Sequence, residues 1–176
     1  MLASEPVSGP FIKHKILSKT YKRPSAIFLL DKEPSENIPA KFRKLMDFHT
    51  GQFTSPTILA IRKAVRTQNI AKEVFGTNPN KFIADLRKLH NLTDYEKISE
   101  EVLKLLGVNL NDIAKSKDPF AQLNYWKQAV ESCGIYILEL GFPTDEAKGF
   151  AIYDESTPII VLNTNDYPNP RIFTLM

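Results

Sequence analysis

The sequence has a single cysteine, Cys133, among 176 residues. One thiol excludes an internal disulfide and fits a reducing compartment, so the expected location is the cytoplasm. Long apolar runs are missing as well. The longest, AIFLL and PIIVL, fall far short of the roughly 18 residues that a membrane span needs, and no membrane partner is expected. The opening MLASEPVSGP has neither the basic nor the apolar region of a signal peptide. Histidine is scarce. His14, His49 and His90 stand apart, and none has another His or a Cys at ligand spacing, so no zinc site is spelled here. No GxxxxGKS or GxxxxGKT phosphate loop occurs, nor GxGxxG, nor GxSxG. Read residue by residue, the chain contains no complete active site.

What is present is an ordinary core-forming composition, 43% apolar and 24% charged. Charge is uneven. Residues 1–75 hold 13 Lys/Arg and 6 Asp/Glu, net +7, and residues 76–176 hold 10 and 14, net −4, which gives the overall +3. A basic front half permits contact with nucleic acid, and solvated helix faces give the same count. The segment FIKHKILSKTYKRP pairs Ile12 with Ile16 and Leu17 with Tyr21 at helical spacing. Lys13, Lys15, Lys19, Lys22 and Arg23 occupy the rest and are the candidate DNA contacts. SAIFLL fits a buried helix or a strand. DKEPSENIP, with two prolines and three acids, reads as a linker.

From residue 54 the period is helical. PTILAIRKAVRTQNIAKEVF has Thr54 or Ser55 as cap, an apolar stripe of Ile58, Ile61, Val65, Ile70 and Val74, and Gly76 as stop. NKFIADLRKLHNL turns Phe82, Ile83, Leu86 and Leu89 inward. TDYEKISEEVLKLLG opens with Thr93 facing Glu96 in a capping box and closes at Gly107. NLNDIAKS allows at most a turn of helix. DPFAQLNYWKQAVESCG is capped by Asp118 and buries Phe120, Leu123, Trp126, Ala129 and Val130. Cys133 at its end reads as a small buried hydrophobe. After Gly134 the period shortens. GIYILEL, KGFAIYD and PIIVLN are rich in β-branched and aromatic residues, and their short connections suit an antiparallel meander. Acids in the late turns (Asp145, Glu146, Asp154, Glu155, Asp166) read as solvated.

The fold class is therefore α+β: a helical N-terminal and middle region, then a small, mainly antiparallel three-stranded sheet, then the start of a terminal helix. For that helix, Asn169 and Pro170 make an entry. RIFTLM offers apolar Ile172, Phe173, Leu175 and Met176 but no exit signal, so it reads as an interrupted element that leaves an apolar sheet face uncovered, or as a short terminal helix docked on the sheet. Self-association through that face or through the last strand is expected.

The segment YWKQAVESCGIYILEL through GFAIYDESTPIIVLNTNDYPNPRIFTLM resembles the opening of the ImmA/IrrE metallopeptidase domain. The shared pattern is Glu131, Gly134 and Ile135, then Gly149, Phe150 and Asp154, then Ile159, Ile160, Val161 and Asn163. It ends with Asn165, Asp166, Pro168, Arg171, Phe173, Thr174 and Leu175. TYKRPSAIFLLDKEPSENIPAKFRKL is similar to the end of a helix-turn-helix domain and its linker in fused regulators. Residues 54–118 resemble their spacer more loosely. The resemblance implies residues 1–33 as a helix-turn-helix remnant, 34–118 as linker and helical spacer, and 119–176 as the N-terminal half of the peptidase domain. It implies a zinc-dependent endopeptidase that cleaves a repressor or regulator protein, with HExxH directly after the Phe-Thr-Leu segment. That motif is missing here, so no zinc ligand or catalytic glutamate is assigned and no zinc is expected in this chain. Gly149, Phe150, Ala151, Ile152 and Tyr153 are the candidate strand for holding an extended substrate. A non-enzymatic DNA-binding or protein-interaction regulator is the other reading.

Overall fold

The computed structural model describes residues 10–21, 23–32, 40–43, 53–91 and 93–176. The chain divides into two compact units, Met1–Ile38 and Pro39–Met176. In the first, helix α1 (Pro10–Tyr21) carries the basic segment, and a 3₁₀ turn at Ser25–Leu29 follows Pro24. SAIFLL, which fits helix or strand by pattern, forms this turn and buries no residue. The rings of Tyr21 and Phe28 lie 6.0 Å apart. Most of the proline-rich linker, residues 33–39, lies outside the described residues.

The second unit is α+β. Strand β1 (Ala40–Arg43) and helix α2 (Ser55–Phe75) lead into α3 (Lys81–Lys88), α4 (Tyr95–Leu106), α5 (Leu110–Lys115) and α6 (Pro119–Ser132). Then come β2 (Tyr136–Leu140), β3 (Gly149–Ile152), β4 (Ile159–Asn163) and α7 (Pro168–Leu175). The sheet runs β1-β3-β4-β2. Two of its pairings are antiparallel, β1 with β3 and β3 with β4, while β2 lies parallel to β4. The meander read from loop lengths is thus replaced by a mixed sheet, with β4 inserted between β3 and β2. The reason lies in PIIVLN. A run of apolar residues without alternation suits a strand covered on both faces, and such a strand belongs at the centre.

Each face of the sheet has its own core. On one, Phe150, Ile152, Ile159 and Val161 meet Phe142, Ala147 and α2. On the other, Ile137 and Ile160 meet Phe82, Val130 and Ile135, and α7 crosses β3 and β4. Cys133 is half-buried against this second core, in keeping with a packing role.

The buried face of α2 keeps only part of the aliphatic stripe: Ile61 is buried and Val65 packs against the core. That face consists of Thr57, Ala60, Ile61, Ala64, Gln68 and Ala71, while Ile70 and Val74 are exposed. The bulk on this side comes from Phe142 and Phe150, so the helix presents short side chains and approaches closely. In α6, Leu123, Trp126 and Val130 are buried as expected, but Phe120 in the first turn is exposed. Helix α4 is capped by Asp94 rather than Thr93; its carboxylate accepts from Glu96 N at 3.1 Å. Gly107 closes α4 in the left-handed region at φ 65°. Helix α7 begins at Pro168, two residues before the expected entry at Pro170, with Tyr167 at the cap. Among the described residues no helix is long and apolar enough to cross a membrane.

Candidate functional site

Part of the spaced pattern, namely Gly149, Asn163, Asn165, Asp166, Arg171 and Thr174, gathers where α7 meets the sheet. Gly149 starts β3 directly beneath α7. A Cβ there would collide with Thr174 Cγ2 and stand 2.7 Å from the Val161 carbonyl oxygen. The glycine is what lets the terminal helix lie on the strand. Arg171, 7% exposed, reaches back to β2 and pairs with Glu139, which also binds Lys127. Burial lowers the guanidinium pKa of Arg171, but an arginine keeps its charge at any physiological pH. Asn163, fully buried at the end of β4, donates to the carbonyls of Phe142 at 2.9 Å and Ala147 at 3.1 Å. It accepts from Asn165 N at 3.0 Å. Asn165 donates to the same Phe142 carbonyl at 3.0 Å. Asp166 accepts from Tyr167 N at 3.0 Å and pairs with Lys148 at 3.4 Å. These residues tie the loop after β2, the end of β4 and the entry of α7 into one joint.

Besides Asp166, two more acids read as solvated in the sequence are built into the frame instead. Glu146 is 3% exposed and serves as the cap that Thr54 does not supply. It accepts from Thr54 N at 3.1 Å and Thr57 Oγ1 at 2.5 Å. Burial pushes its pKa up, yet the hydrogen bonds from Thr54 and Thr57 outweigh burial and hold it below the usual range. Asp154 closes the turn between β3 and β4. It accepts from Ser156 N at 2.9 Å and Thr157 N at 3.0 Å, and Lys72 of α2 pairs with it. Burial opposes the charge, but Lys72, Ser156 and Thr157 together hold the carboxyl well below its ordinary value.

The proposed substrate strand is not an open edge. β1 pairs along it, with Ala40 opposite Ile152 and Arg43 opposite Gly149. Phe150 and Ile152 are core residues, Ala151 is half-buried and Tyr153 is exposed. The last strand, β4, is paired on both sides and offers no edge for self-association. Among the candidate DNA contacts, Lys15 and Lys19 are exposed on α1 and Arg23 is half-buried; the side chains of Lys13 and Lys22 lie outside the described set.

An apolar cavity of about 670 Å³ lies between α3, α4, α6, the end of α7 and the sheet. Leu86, Val102, Trp126 and Ile160 line its interior, and Met176 stands at its edge. Sequence reasoning expected a bare sheet face and did not foresee this enclosure. The Glu139–Arg171 pair was missed too; a lone acid within the apolar YILEL was its only trace.

The zinc that the resemblance implies does not fit the residues present. Among the described residues no three His, Cys, Asp or Glu side chains gather in a ligand-like group, and the sequence has no two histidines four apart. No family model matches the chain, and neither does any curated protein or solved structure.

Proposed function

We propose that residues 119–176 are the N-terminal part of an ImmA/IrrE-type zinc endopeptidase fold, joined to transcriptional control through the segments before it. In this reading the protein acts in the cytoplasm and the substrate is a repressor or regulator protein. The observation that supports it most is the joint of Gly149, Arg171 and Thr174, to which Glu139, outside the family pattern, adds the ion pair with Arg171. Residues that match the family pattern at separate places in the sequence meet at one contact, the docking of the terminal helix on the sheet. That contact would fix the direction in which a ligand-bearing helix runs relative to the strands. The hydrolytic residues have no counterpart in these 176 residues, so the chain by itself cleaves nothing. Sequencing the gene past codon 176 tests this: an in-frame His-Glu-x-x-His directly after Met176 supports the reading, and a stop codon or an unrelated continuation removes it.

The exposure of Lys15 and Lys19, one helical turn apart, favours a second reading in which α1 binds duplex DNA through phosphates. Gel-shift titration at two salt concentrations separates the readings. Binding that weakens steeply with salt supports DNA contact, and no salt-dependent binding excludes it.

A further inference from the structure

The apolar cavity has no role in the peptidase reading, and its chemistry is specific. Its volume, about 670 Å³, lies within the roughly 300–1,000 Å³ of small-molecule sites. No lining side chain is charged; the polar side-chain groups are the hydroxyls of Tyr95, Ser99 and Tyr153 and the indole N–H of Trp126. The shape argues against a polypeptide helix as occupant. A helix about 10 Å across would place only about 8 Å of its length in this volume, under two turns. A slender hydrocarbon chain fits the space better.

The mouth supplies a head-group site. Exposed Tyr153 stands at the rim, and Arg87 lies over it, with its guanidinium carbon 5.8 Å from the ring centroid. Arg87 also donates to the Tyr153 hydroxyl and to Glu155 Oε1, the latter at 2.7 Å. The Arg87 and Glu155 side chains are 55% and 61% exposed. Exposed ion pairs contribute little, so an incoming carboxylate can replace Glu155 on Arg87 at small cost. We propose that this cavity binds a long-chain carboxylic acid, its hydrocarbon tail between α3, α4 and the sheet and its carboxylate on Arg87.

The test is calorimetric titration of the full chain with dodecanoate below its micellar concentration, and with dodecanol as the uncharged control. The expected result is saturable one-to-one binding of dodecanoate. Val102→Trp and, separately, Ile160→Trp fill the cavity and should weaken it at least tenfold, with folding checked by circular dichroism. Should either tryptophan disrupt the fold, the milder Ala151→Leu serves in its place. Arg87→Ala should weaken dodecanoate at least fivefold and leave dodecanol unchanged. Absence of saturable binding, equal binding by the filled variants, or equal dodecanoate affinity in Arg87→Ala overturns the proposal. So does a dimer in sedimentation that dissociates on filling the cavity, because a second copy would then be the occupant.

Discussion

A methyl group added at position 149 has nowhere to go. Thr174 and the Val161 carbonyl already occupy the space, and overpacking of this kind costs about 1–3 kcal/mol. Gly149→Ala should lower the denaturant midpoint accordingly, and Thr174→Ser in the same chain should recover part of the loss by removing the clashing methyl. Full recovery is not expected, because the Val161 oxygen belongs to the backbone. Arg171→Ala should cost about 2 kcal/mol by chemical denaturation. It leaves Glu139 with Lys127 alone, and breaking a more fully buried pair would cost more. Asp154 sets an acid limb. A carboxyl whose folded pKa is depressed contributes stability above the unfolded carboxylate range, and that stability is lost as pH falls toward the folded value. Asp154→Asn should therefore flatten the fall in stability below about pH 4 without abolishing it, since Glu146 is depressed in the same direction. Midpoints measured from neutral pH down to pH 3 would show an unchanged slope if the Lys72 and Thr157 contacts were unimportant.

At the scale of elements, α2 shows what pattern reading catches and what it misses. Its helical period and its stop at Gly76 were legible. Which face turns inward was legible at Ile61 and Val65 but not at Ile70 and Val74, because that depends on Phe142 and Phe150 reaching it from distant parts of the chain. Ala64→Leu should destabilise by about 1–3 kcal/mol, since Ala64 is fully buried under the sheet, while Ile70→Lys should be near neutral. The opposite ranking would mean that the aliphatic stripe is the buried one. Strand β4 was legible as a strand, but its central place and its parallel partner β2 were not read, because short loops suggested a meander with β4 at the edge. β1 had no pattern of its own. AKFR becomes a strand because the edge of β3 supplies its hydrogen bonds. The joint at α7 was legible as a set of spaced residues, but the work each one does became visible only where Arg171 meets Glu139 and Gly149 meets Thr174.

For the whole molecule, the sequence separates a basic front from an acidic remainder, and the chain folds as two units whose boundary falls at Ile38 and Pro39. The second unit holds one sheet with a core on either face, and it leaves the cavity beside the end of α7. Enclosed volume is a property of how α3 and α4 stand over the sheet, so no sequence pattern announced it. On the proposed reading, this unit is a framework whose metal-binding residues are not among these 176 residues. The direct measurement is zinc content per chain, with cleavage of a repressor substrate, for the protein made from its whole gene and for residues 1–176 alone. The account predicts one zinc per chain and chelator-sensitive cleavage for the former, and neither for the latter. Equal zinc content in the two, or cleavage by residues 1–176 alone, would contradict it.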